Sequence, residues 1–153
     1  MTTPVIPLRA NNTLVAAAWL KLAVPGVGVA TRLPKADESM RTAGFIRVAP
    51  VGGTPDLDSP LRSPVVTAEC WAAPAVEGSA KVPTARANAL AEAVIAATYE
   101  RALMDVVLNL GAGYPQARVR TVRALSEPLE SPDDPSNYGR FDVDLLLTWT
   151  TSQ

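Results

Sequence analysis

The segment 140–150, RFDVDLLLTWT, alternates apolar and polar residues throughout except at Leu146. Phe141, Val143, Leu145, Leu147 and Trp149 fall on one side of an extended chain; Asp142, Asp144, Leu146 and Thr148 fall on the other. A period of two belongs to a half-buried β-strand and to no helix. A chain that carries such a strand must supply neighbours for its edges and an apolar layer for its inner face.

Four further segments read as strands. Residues 27–33 are short and β-branched, 44–51 carry Phe45, Ile46 and Val48, and 117–125 alternate Arg118 and Arg120 with apolar neighbours. In 65–72 (VVTAECWA), Val66, Ala68 and Cys70 share one face, and Val65, Thr67, Glu69 and Trp71 the other. Two segments read as helices. Asn11 or Asn12 caps 13–23, which Pro25-Gly26 ends, because an Asn side chain accepts from the free amides of a first turn. Thr84 caps 85–109, an uninterrupted run of helix formers with Leu90, Ala91, Val94, Ile95, Thr98, Ala102 and Val106 as its core stripe and Gly111 as its C-terminal cap. The order α-β-β-β-α-β-β predicts an α+β fold: a mostly antiparallel sheet of about five strands, one long helix packed on one face and a short N-terminal helix. At 153 residues this is a single domain spanning 1–153, with 1–10 as an extended arm and 11–150 as its body.

Composition removes whole classes of chemistry. The chain has no histidine and one cysteine, Cys70. Without histidine there is no Ser-His-Asp or Cys-His arrangement, and one cysteine makes neither an internal disulfide nor a thiolate-rich metal site. No cofactor or metal is expected, and no catalytic activity. Cys70 reads as a buried thiol in a reducing compartment. A net charge of −1 lacks the basic stripe of a nucleic-acid binder or of a protein held on anionic membranes. Residues 1–10 lack the pattern of a signal peptide, and the longest apolar run, 14–24, is interrupted by Lys21, so no membrane association is expected. The glycine pairs Gly26/Gly28 and Gly111/Gly113 lack the third glycine of a dinucleotide loop and read as turns.

Three groups of residues are candidates for function. Asp142 and Asp144 share a strand face, with Glu69 as a possible third acid, and paired carboxylates can serve as acid and base. The simpler reading is a solvated face on which Arg118 and Arg120, at the same spacing, form cross-strand ion pairs with Asp142 and Asp144. The arm carries Val5, Ile6 and Leu8 with no periodicity of its own and is a candidate strap onto a neighbouring subunit. The loop 126–139 is long for a strand connection and holds three prolines, Glu127, Glu130, Asp133, Asp134 and Tyr138. It reads as a partner-binding loop with Tyr138 as anchor, and the proline-rich loop 52–64 is next in line.

Residues 45–73, FIRVAPVGGTPDLDSPLRSPVVTAECWAA, run strand, Val-Gly-Gly turn, proline-rich acidic loop, and strand ending in Cys-Trp-Ala. With the Ala-rich helix TARANALAEAVIAATYERAL and the closing strand RFDVDLLLTWT, the pattern resembles the tail terminator proteins of long-tailed bacteriophages over residues 11–150. The resemblance implies an α+β fold and a homo-oligomeric ring, six-fold, on the head-proximal end of the tail tube. Such a ring stops tube polymerisation and joins the tail to a neck or head-closure protein. It belongs to the virion and is assembled in the host cytoplasm, and DNA passes its lumen without specific binding. The resemblance brings no catalytic residues. The alternatives are another neck component such as a head-closure or adaptor protein, a small-molecule-binding α+β module, and a hydrolase using Asp142 and Asp144.

Overall fold

Asn11 starts the first helix in the computed structural model, which describes residues 5–35, 38–76, 78–131 and 137–152. Its backbone is extended, and its side chain accepts from the Leu14 N–H at 3.0 Å. Helix α1 then runs Asn12–Ala23. After it come β1 (Gly28–Ala30), α2 (Glu38–Thr42), β2 (Phe45–Gly52), β3 (Val65–Ala72) and α3 (Thr84–Ala97). A 3-10 turn (Arg101–Leu103) leads to β4 (Val106–Leu108), β5 (Ala117–Ala124), β6 (Leu129–Glu130) and β7 (Gly139–Thr151).

The strands form one seven-stranded sheet in the order β1-β2-β3-β7-β5-β4, with β6 also paired to β7. Only the β1–β2 pair is parallel among these ladders. β7, the alternating segment, is the spine. Its first half pairs with β3 on one side and β6 on the other; its second half pairs with β5. Alternation sends Val143, Leu145, Leu147 and Trp149 to one face, where they meet Ile46 and Val48 of β2, Val66, Ala68 and Cys70 of β3, and Val119 and Val122 of β5. Two helices cover this face: α1 through Val15, Ala16, Trp19 and Leu20, and α3 through Ala87, Leu90, Ala91 and Val94. Each Val, Leu or Ile fully buried here contributes roughly 1.5–3 kcal/mol. The indole N–H groups also find partners: Trp19 donates to the Leu103 carbonyl at 2.9 Å and Trp149 to the Asn12 side chain at 3.0 Å.

The mixed fold with a mostly antiparallel sheet is as expected, but the single long helix over 85–109 is not. α3 ends at Ala97, and α1, at 12 residues against 14, is nearly as long. The helix tightens into i→i+3 bonds from the N–H groups of Thr98, Tyr99 and Glu100, and the Thr98 hydroxyl donates to the Ile95 carbonyl. Asp105 then turns the chain at φ 52, and the β-branched Val106 and Val107 enter an edge strand on β5. Sheet pairing of three residues thus overrides a helical composition, as tertiary context commonly does. Gly111 caps no helix; it lies between β4 and β5 at φ 116. Among the described residues the sheet has seven strands and not about five, because β4 and β6 lie in segments read as helix and loop.

At Gly139 the start of β7 passes so close under the start of α3 that a Cβ would lie 2.6 Å from the Pro83 carbonyl oxygen. Only glycine permits that approach.

Candidate functional site

The face of the sheet away from α1 and α3 carries the polar half of each alternating strand. Register brings Arg47 of β2 opposite Glu69 of β3, and Glu69 opposite Asp142 of β7. Glu69 is only 3% exposed, the buried charged residue among those described. Such a group needs partners for its oxygens. Arg47 supplies two hydrogen bonds, Nε to Oε1 and Nη2 to Oε2, both at 2.8 Å. The Trp71 indole N–H donates to Oε1 at 3.1 Å, and Arg140 Nη2 lies 3.4 Å from Oε2. Arg140 also donates twice to Asp142, at 2.9 Å each, and its guanidinium sits 5.1 Å from the Trp71 ring centre. Tyr138 meets Trp71 edge-on at 6.3 Å. Next along β7, Asp144 accepts from the Thr67 hydroxyl at 2.6 Å, and its own N–H donates to Ser126 Oγ at 3.1 Å.

Two guanidiniums therefore face two carboxylates in paired, planar contacts, the strongest geometry for such groups. Both oxygens of Glu69 and of Asp142 accept from arginine, so the arrangement locks β2, β3 and β7 in register. Of the two candidate acids on β7, Asp142 is held by Arg140 through both oxygens and Asp144 by the Thr67 hydroxyl through Oδ1. Behind this face Cys70 points into the core, where burial, and then the charges of Asp142 and Glu69, push its thiol up to about 12. A thiol so raised is no nucleophile near neutrality. Among the described residues no group of three or more Cys, Asp or Glu is placed to hold a metal ion, and no helix is long and apolar enough to cross a membrane.

The expected ion pairs of Arg118 and Arg120 with Asp142 and Asp144 are not formed. β5 and β7 are adjacent and antiparallel, but the register sets Arg118 opposite Thr150, and a bulge between Val119 and Thr121 displaces Arg120. Both arginines turn instead to Asp105, at 3.3 and 3.1 Å. The carboxylates have other partners nearby: Arg140 of β7 for Asp142 and the Thr67 hydroxyl of β3 for Asp144.

The interface candidates fare differently. Val5 and Ile6 are 87% and 84% exposed on an arm without regular structure, and Leu8 is half-exposed. Leu8 lies close to Gly113. In the loop 126–139, Leu129 and Glu130 pair with β7, and Asp133 and Asp134 lie outside the described residues. Tyr138 is no free anchor, because it packs on the small cluster of Met40, Trp71 and Ala73. Sequence reasoning missed Leu57, which projects 98% exposed from the β2–β3 loop. It also missed a groove of about 420 Å³ at the start of α3, walled by Val76, Val82 and Pro83 and flanked by Lys81 and Arg86. An apolar residue between Asp56 and Asp58 in a proline-stiffened loop was the available signal for the first; the groove has none.

No family model and no curated protein matches the sequence. Among solved structures, a chain from "Virion of native gene transfer agent (GTA) particle" is similar at a TM-score of 0.49 and 16% identity, over 90% of this chain and 89% of that one.

Proposed function

We propose that this chain is a structural assembly protein of a phage-like virion, without catalytic activity, that forms a ring at the head-proximal end of a tail tube. The tail terminator resemblance over residues 11–150 is the source of the ring, its six-fold symmetry and its place between tube and neck protein. The observation that carries the assembly reading is the placing of Val5, Ile6 and Leu57, each at least 84% exposed, on segments outside the sheet and helices. These side chains do nothing for the monomer's core, and association is what removes them from water. The ion-pair network supports the reading too, since it fastens the sheet that must hold its shape under contact on several sides. A ring needs a contact between unlike surfaces of successive subunits, because only a heterologous contact with the right rotation closes. A chain of net charge −1 suits a lumen through which DNA slides, since a basic wall would hold the phosphates.

The test is negative-stain imaging and sedimentation of the pure protein, alone and mixed with tail tubes. Rings of uniform diameter, free or on tube ends, are the expected result. A monomer at every concentration that leaves tube ends bare refutes the reading. Removing residues 1–6 is expected to weaken assembly while leaving the melting temperature unchanged, because Val5 and Ile6 are exposed. An unfolded deletion variant places the arm in the core instead.

A further inference from the structure

The β2–β3 loop is a built projection. Pro55 and Pro60 stiffen it, the Asp58 N–H donates to Asp56 Oδ1 at 2.9 Å, the Ser59 hydroxyl to Asp56 Oδ2 at 3.2 Å, and the Leu61 N–H to Ser59 Oγ at 3.2 Å. Its base is pinned where Arg62 pairs with Trp149, N–H to carbonyl in both directions at 2.7 and 2.9 Å. The tip therefore presents Leu57, almost wholly exposed, beside the exposed carboxylate of Asp58. A loop already fixed by its own hydrogen bonds loses little freedom on docking.

At the other end of β3 lies the groove at the start of α3. Its walls are apolar, and among the described residues its lining holds two cations, Lys81 and Arg86, and no acid. Arg86 donates to the Ala73 carbonyl, which fixes its position on the rim. Among the described residues, an apolar tip flanked by carboxylates thus matches an apolar groove flanked by cations, in polarity and in sign of charge. Within one chain the two features lie at opposite ends of β3. β3 has eight residues between them, and at ~3.3 Å per residue that separates them by roughly 25 Å.

We infer that the Leu57 tip of one copy docks in the groove between Val76 and Val82 of the next, with Asp58 facing Lys81. The contact joins unlike surfaces at opposite ends of one strand, so each copy gives a loop and receives one. This rests on the assembly reading for its occupant, a second copy of this chain, and specifies which surfaces make the contact.

The experiment mixes a Leu57→Cys chain with a Val82→Cys chain under mild oxidation. The native thiol does not compete, because Cys70 is buried with its thiol raised to about 12. Both substituted positions are exposed, so the fold is not at risk, and thermal melts of each variant check this. The mixed disulfide is expected to exceed either self-disulfide at least tenfold. A chain carrying both cysteines is expected to form a covalent ladder of oligomers. Lys81→Glu is expected to weaken association on the order of tenfold, and Asp58→Lys in the same chain to restore it, since rim charges of like sign repel and swapped ones attract again. Assembly by sedimentation without the mixed disulfide overturns the docking and leaves the assembly reading standing. A Val5→Cys chain that bridges to Val82→Cys in place of Leu57→Cys gives the groove to the arm and also overturns it. A wild-type chain that never associates, with no bridge formed, overturns both.

Discussion

Replacing Glu69 by alanine tests whether the ion-pair network holds the sheet. The change deletes both hydrogen bonds from Arg47, the approach of Arg140, and the acceptor of the buried Trp71 N–H. Removing one partner of a fully buried pair costs about 3–5 kcal/mol. Here the arginine side chains remain 36% and 26% exposed and can turn to water, which reduces that figure. The orphaned indole N–H has less recourse, and a buried donor without a partner costs about 1–3 kcal/mol. The net expectation is a loss of about 2–3 kcal/mol. For a domain of this size that lowers the melting temperature by about 5–10 °C, read by thermal and urea unfolding. Glu69→Gln keeps the shape and an acceptor for Trp71, and should lose about half as much. In a double-mutant cycle with Arg47→Met, the pair should be coupled by at least about 1 kcal/mol, because removing both partners leaves neither charge stranded. A Glu69→Ala variant within 0.5 kcal/mol of wild type, or a cycle that closes additively, refutes the reasoning.

Three other changes follow from single contacts. The Cys70 thiol is raised from 9.0 to about 12, so its protonated form favours the folded state; that contribution is complete below about pH 9 and lost as pH climbs toward about 12. The stability of wild type should therefore fall faster than that of Cys70→Ala across that window in urea titrations; parallel curves contradict the burial effect. Asp105 sits at φ 52 and joins two exposed arginines, so Asp105→Asn, which tolerates that backbone, should cost less than about 1 kcal/mol, whereas Asp105→Val should cost about 1–2 kcal/mol more. Gly139→Ala drives a methyl against the Pro83 carbonyl, at 2.6 Å, and should destabilise by about 1–3 kcal/mol, measured by urea unfolding; a neutral variant means that α3 can shift away.

The parts of the fold that were legible are those in which one segment carries its own signal. The period of β7 and the cap at Asn11 can be read without knowing any neighbour. The end of α3 cannot. The residues after Ala97, including Ala102, Leu103 and Met104, are helix formers, and what removes Val106–Leu108 from the helix is a vacant edge on β5 supplied by later sequence. β6, at two residues, is too short to show a period. The cross-strand pairs failed for a related reason. Matched spacing of Arg118 and Arg120 with Asp142 and Asp144 is the same in every register, and a one-residue bulge at Arg120 alters which residues meet. The network at Glu69 depends on the register of β3 with both β2 and the distant β7, so Arg47 and Arg140 had no mark as its members. Glu69 itself did, as an acid on a strand between Thr67 and Trp71.

The geometry also limits how such a chain associates. The sheet ends on β1 and β4, each of three residues, which leave 48–52 of β2 and 120–124 of β5 uncovered on their outer sides; each of these edges is short, and short edges are poor templates for adding another chain's strand. The proposed contact uses a loop and a groove instead, which are directional. A loop-to-groove contact leaves one free loop and one free groove at the ends of any open array, so the array grows until the rotation per step closes it. On the proposed docking that rotation is set by the angle between the Leu57 tip and the groove at α3, which lie at opposite ends of β3. What keeps β3 from flexing between them is its ladder to β2 and β7, fastened at its centre by Arg47, Glu69, Arg140 and Asp142. On the proposed docking, Glu69→Ala below its melting temperature should leave the mixed disulfide between positions 57 and 82 intact but spread the sizes of the assemblies, seen by imaging. Assemblies as uniform as wild type would mean that closure is set elsewhere, by the arm or by a tube end that templates the assembly.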